Sequence, residues 1–130
     1  MAAVDLCYDR PMGTVAIVSV EEYLSTSYPD GDREYVDGQI VERSVGEHLH
    51  SRIQSLILFH LMSHYPQYWS GVEARVRLGP RRYRIPDVCV ITGKWPGPER
   101  GPIAEAPFLA IEVLSPDDRA SELQERIDDY

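Results

Sequence analysis

Apolar residues fall in short runs along this chain, with turn-forming residues between them. Val72, Ala74, Val76 and Leu78 alternate with Glu73, Arg75 and Arg77, the period-two pattern of a strand with one apolar and one basic face. A Gly-Pro-Arg-Arg turn follows at 79–82 and residues 83–91 return, so the stretch from 69 to 91 predicts an antiparallel hairpin. The returning arm ends in Val88, Cys89, Val90 and Ile91 without a polar break, as a strand covered on both faces does. Pro86 stands at its start, where a missing ladder N–H is tolerated. Residues 108–114 form a second run of this kind and predict a second central strand. Upstream, Ser19 and Glu22 make a capping box that opens a short helix over 20–26, which ends in a turn at 29–32. Tyr35 and Val36, then Asp37 and Gly38, then residues 39–42 predict a tight hairpin or one bent strand. A second capping box, Ser44 to Glu47, opens the longest helix, about 45–64. Its Leu49, Ile53, Leu56, Ile57, Phe59, Leu61 and Met62 predict a broad apolar face packed hard against a sheet. Ser115 as cap and Pro116 as first residue predict a last helix through Leu123 and Ile127 to Tyr130.

These elements add up to an α/β domain with a central mixed sheet of four to five strands, flanked by helices. At 130 residues the chain suits one domain with a real core. Residues 1–18 read as an N-terminal arm and 19–130 as the domain. No apolar run approaches the length of a membrane span, and the first residues carry no secretory signal pattern. Cys7 and Cys89 stand far apart in unlike settings, which reads as two reduced thiols in a cytoplasmic protein.

The formal charge of −8 argues against a surface that grips nucleic acid everywhere. The charge is uneven, however. Residues 1–47 carry ten acids and three bases, whereas residues 70–100 carry seven bases and three acids. Any nucleic-acid contact is therefore expected at Arg75, Arg77, Arg81, Arg82 and Arg84. The bland alternative is that these arginines are the solvated face of a hairpin.

Candidate chemistry lies in the two apolar runs. Each carries one acid, Asp87 in the first and Glu112 in the second. An acid among apolar neighbours is costly unless it is paired, hydrogen-bonded or bound to a metal. If the two strands are neighbours, the carboxylates converge on one cation. Oxygen ligands without a thiolate suggest Mg²⁺ or Mn²⁺, with the Val113 carbonyl as a further ligand. Alternatively, Asp87 caps a turn and Glu112 forms a structural ion pair with an arginine. His50 shares a side with the core stripe of the long helix, either as a satisfied core histidine or as part of the site. His60 and His64 are four apart but lack the acid of a zinc protease motif. Glu42 either faces solvent or leans toward the site, and periodicity does not choose between them. The connection at 92–107 is rich in glycine and proline, and Lys94 and Trp95 within it are placed to project over a cleft.

The combined motifs carry a resemblance. Residues 35–41 with Asp37 and Gly38, then residues 47–50, 83–88 and 106–116, are similar to the Uma2 family, which is placed in the PD-(D/E)XK nuclease superfamily. The resemblance covers roughly residues 19–130 and implies a restriction-endonuclease-like fold. It implies that Asp87 and Glu112 are the two motif acids, that His50 is the helix histidine, and that Glu42, or less readily Glu47, is the early glutamate. Two departures accompany it. The superfamily's lysine two residues after the second acid is Leu114 here, and the lysine that the family carries on the next helix matches Arg126. Arginine keeps the charge but cannot serve as a base. The family's domain also continues past the position of Tyr130, so the domain reads as incomplete at its C-terminus, with an open sheet edge that favours a homodimer or higher homo-oligomer. The implied function is a Mg²⁺-dependent DNA endonuclease. The alternative is an inactive nuclease-fold module that binds nucleic acid or protein.

Overall fold

The computed structural model describes residues 16–29, 31–43, 47–93 and 100–130. Most of the expected arm, Cys7, the second capping box at 44–46, and Lys94 and Trp95 lie outside the described residues. In chain order the elements are α1 (Val20–Ser25), β1 (Glu34–Val36), β2 (Gln39–Val41), α2 (His48–His64), β3 (Trp69–Val72), β4 (Val76–Gly79), β5 (Arg82–Arg84), β6 (Val88–Ile91), β7 (Leu109–Ile111) and α3 (Ala120–Asp129). The α/β class expected from the sequence holds. The single mixed sheet resolves into two sheets, in the orders β2-β1-β5-β4 and β3-β6-β7, and every strand pair in both is antiparallel.

The split has a local cause. The hairpin over 69–91 forms as its alternation predicts, but it bends at its middle. Glu73 takes a left-handed backbone with φ of 49°, and Pro86 offers no N–H on the facing arm. The ladder breaks there, with β4–β5 on one side of the bend and β3–β6 on the other. At the other hairpin, Asp37 and Gly38 both have positive φ, 48° and 90°, as a two-residue turn of matching twist requires. In the β3-β6-β7 sheet all four residues of β6 are buried, as its unbroken apolar run predicts. β7 lies at the edge of that sheet rather than inside it.

Two apolar clusters sit behind the sheets. Tyr23, Tyr35 and Tyr83 pack with ring centroids 5.0 to 6.2 Å apart. Two of their hydroxyls are satisfied by backbone: Tyr23 donates to the Arg33 carbonyl at 2.6 Å and Tyr35 to the Val18 carbonyl at 2.7 Å. The second cluster joins Val76, Cys89, Ile91 and Ile103, with Trp69 and Tyr130 packed against it. Ile103 belongs to the long connection, and it reaches back to bridge Val76 in parallel. Burial pushes the Cys89 thiol up to about 11, so Cys89 acts as a small core residue.

Two helices depart from expectation. In α2 the broad apolar face is largely in solvent: Leu49, Leu56, Phe59 and Met62 are all exposed. The helix lies against β3 and β6 through the side that carries His50, Gln54, Ile57 and Leu61. Apolar residues surround much of this helix, and it can seat only one side. The last helix starts at Ala120, not at Ser115. Asp118 accepts from the Ser115 N–H through its side chain and donates its own N–H to the Ser115 carbonyl, so 115–118 closes as a turn.

This packing separates two apolar residues of similar size. Ile85→Ala, at a fully buried site, is expected to cost about 2–5 kcal/mol in urea unfolding. Phe59→Ala, at a residue 71% exposed, is expected to stay within about 0.5 kcal/mol of the parent.

Candidate metal and phosphate site

The β6–β7 pairing positions both acids. Val88 stands opposite Ile111. Asp87 immediately precedes β6 and Glu112 immediately follows β7, so in an antiparallel pair they fall at the same end. Both line one cleft of about 80 Å³, together with Glu42, Arg43, His50, Val113, Asp118, Arg119, Glu122 and Arg126.

Asp87 is buried, with both oxygens hydrogen-bonded. Arg43 Nη2 donates to Oδ1 at 3.1 Å. His50 Nε2, 3.2 Å from Oδ2, acts as the donor, since a carboxylate only accepts. The Val113 backbone N–H donates to the same Oδ2 at 2.6 Å. Glu112 accepts on Oε1 from the Tyr130 hydroxyl at 2.7 Å and from Arg126 Nη1 at 3.3 Å. Burial pushes the Glu112 carboxyl up from 4.5 to about 7, against the Tyr130 hydrogen bond and the Arg126 charge, which pull it down.

The other expected site residues divide. His50 and Arg126 reach the two acids. Glu42 sits on the rim, 80% exposed, with Arg33 at 3.6 Å. Glu47 stands at the N-cap position of α2, makes no side-chain capping bond and is exposed. Val113 contributes its N–H to Asp87. Of the five arginines, Arg84 is buried between Glu34 and Asp129. Arg82 is tied to Asp37 and Asp129. Arg75 lies over the Tyr23 ring with Asp32 at 3.7 Å. Arg77 and Arg81 are exposed and enter no ion pair among the described residues. His60 and His64 stack on each other at 4.2 Å in solvent, away from the acids.

Three participants were not singled out from the sequence: Arg43, Tyr130 and Glu34. Arg43 and Tyr130 carry no local signal. Nor does Glu34, which follows Asp32 and Arg33 and so lies in no apolar run like those around Asp87 and Glu112.

The donor set bears on a cation. Five carboxylates face three guanidinium groups across the cleft, so it is net negative. Among the described residues no three His, Cys, Asp or Glu side chains gather as a closed metal centre. The two buried acids and the negative charge of the cleft fit Mg²⁺, which keeps several waters and takes only one or two carboxylates from a protein.

The raised Glu112 carboxyl has a pH signature. A group raised on folding favours the folded state fully below its unfolded value, and that contribution is lost as pH climbs through the folded value. The parent is expected to lose stability between pH 4.5 and about 7 on account of Glu112. Glu112→Gln removes that slope, and the variant is expected to gain on the parent across this window in denaturant titrations.

Comparison with known proteins gives the family and the fold. The model of the Uma2 family, described as "putative restriction endonuclease", matches residues 20–130. No curated protein matches. Among solved structures, a putative nuclease of the DUF820 group from Anabaena variabilis superposes with a TM-score of 0.69 at 26% identity, over 85% of this chain. The match spans 65% of that protein's length. Among the described residues no helix is long and apolar enough to cross a membrane. With that model matched over residues 20–130 and a restriction-endonuclease-like fold, the chain belongs to the Uma2 family.

Proposed function

We propose that this protein is a Mg²⁺-dependent endonuclease that hydrolyses phosphodiester bonds of DNA. The observation that supports it is the meeting of Asp87 and Glu112 in one net-negative cleft in a chain of a nuclease family. Asp87 and Glu112 would hold the cation, with water and substrate phosphate filling the remaining positions. When bound, such a cation acidifies water and offsets the charge on a phosphoryl group in transit. His50, Arg43 and the Val113 N–H fix the orientation of Asp87. Arg126 and the exposed Arg119 on the cleft wall supply positive charge for the phosphate. Arg77 and Arg81, exposed on β4 and the following turn, are the arginines of the hairpin free to meet the DNA backbone.

A second reading, an inactive binding module of the same fold, has one observation in its favour: Arg126 already lies against Glu112. The two readings separate in one assay. Supercoiled and linear DNA are incubated with the chain in Mg²⁺ and in Mn²⁺, beside Glu112→Gln. The nuclease reading expects cleavage by the parent and a loss of about 100-fold or more in the variant. A folded parent that cuts neither DNA in either metal leaves the binding module as the surviving reading.

A further inference from the structure

Glu34 is the most deeply placed charge near the cleft, with a side chain 0% exposed. Its Oε1 accepts from the Ile85 backbone N–H at 2.9 Å. Its Oε2 accepts from Arg84 Nη1 at 3.0 Å and lies 3.1 Å from Arg126 Nη2. Arg84 is held in turn by Asp129, at 2.7 Å. Glu34 is therefore anchored from the interior side, by backbone and by a second ion pair.

Arg126 sends its other arm to Glu112. Nη2 goes inward to Glu34 and Nη1 goes outward to Glu112 Oε1. One guanidinium is thus divided between an interior carboxylate and a cleft carboxylate. Tyr130 donates to that same Oε1. Among the described residues Glu112 Oε2 receives no hydrogen bond. A guanidinium facing a single carboxylate tends to take both oxygens, fork to fork. At Glu112 the contact is through Nη1 alone, with Nη2 turned to Glu34.

We infer that Glu34 is a positioning residue: it keeps one arm of Arg126 inside the protein, so that Glu112 meets only the other arm and retains an oxygen for a cation. The inference rests on reading Asp87 and Glu112 as cation ligands, and its test separates the two.

The first measurement needs no metal. Glu34→Gln, Arg126→Gln and the double variant are unfolded in denaturant. Direct coupling predicts an interaction of about fivefold or more in the folding equilibrium. Additive effects would overturn the inference. The second measurement is Mn²⁺ affinity, read by calorimetry or water-proton relaxation. Glu34→Gln frees Arg126 to clamp Glu112, so affinity is expected to fall about tenfold, or about 1.4 kcal/mol. In the Arg126→Gln background the same Glu34 change is expected to do nothing. A merely structural Glu34 weakens Mn²⁺ in both backgrounds, and that result overturns the inference. Should Glu34→Gln fail to fold, nitrogen NMR of the parent decides. Held at both ends, the Arg126 guanidinium is expected to give separate, slowly exchanging Nη signals, assigned by their loss in Arg126→Lys. Averaged signals would refute the two-sided hold. A parent that binds no Mn²⁺ sinks the cation reading of the two acids, while the stability cycle still decides whether Glu34 places Arg126.

Discussion

The pairing of β6 with β7 is the constraint on which the cleft depends. With Val88 opposite Ile111, each acid stands one residue beyond the last paired position, at the same end of the sheet. Side chains alternate along a strand, so a slip of one residue would send one of the two carboxylates to the other face. β6 resists such a slip through complete burial, but β7 is half-exposed and contributes less. The site itself adds to the register. The Val113 N–H, which follows Glu112, closes on the Asp87 carboxylate, so a side chain continues the ladder where backbone pairing stops.

Charge, more than apolar burial, seats α3. None of its residues is buried, and Ile127 is 55% exposed. Its last turn is fixed by Arg126 to Glu34 and Glu112, and by Asp129 to Arg82 and Arg84. Asp129 sits at the end of a helix where the dipole disfavours negative charge, and the two arginines offset that. Buried ion pairs are weak contributors to net stability, because desolvation consumes most of their attraction. Their directional demands are strict, however. Glu34 belongs to β1, Arg84 to β5 and Glu112 follows β7, so this one turn of helix references both sheets to each other at the cleft.

Much of this was legible in the chain because the informative patterns are local. The apolar run at 88–91, the Asp37–Gly38 turn and the Ser19 cap each depend on a few adjacent residues, and each has its counterpart in the fold, whereas the alternation over 72–78 is interrupted between β3 and β4. The acids announced themselves through a local conflict, a charge inside an apolar run. What escaped depended on partners distant in sequence. The side of α2 that packs is chosen by the sheet beneath it, and residues apolar on several sides leave that choice open. Arg84 read as part of a basic face because alternation does not reveal that Glu34, fifty residues earlier, meets it. The late start of α3 turned on Asp118, whose side chain serves a turn as readily as a helix.

The electrostatics of the cleft bear on how a phosphate would enter under the proposed reading. The protein carries a net charge of −8, and the cleft is itself net negative. A polyanion gains nothing from long-range attraction to such a surface. Two carboxylates, one of them pushed up to about 7 by burial, also make a modest cation site at neutral pH. Each deficiency is relieved by the other component. A bound cation would cancel the excess negative charge that repels the phosphate, and the phosphate would supply oxygen ligands that the protein lacks. Binding of the two would then be coupled, with neither held well alone. Under that reading Arg126, which divides between Glu34 and Glu112, would set the balance between them: turned wholly onto Glu112 it would replace the cation, and held half inside by Glu34 it would face the phosphate as a second positive charge.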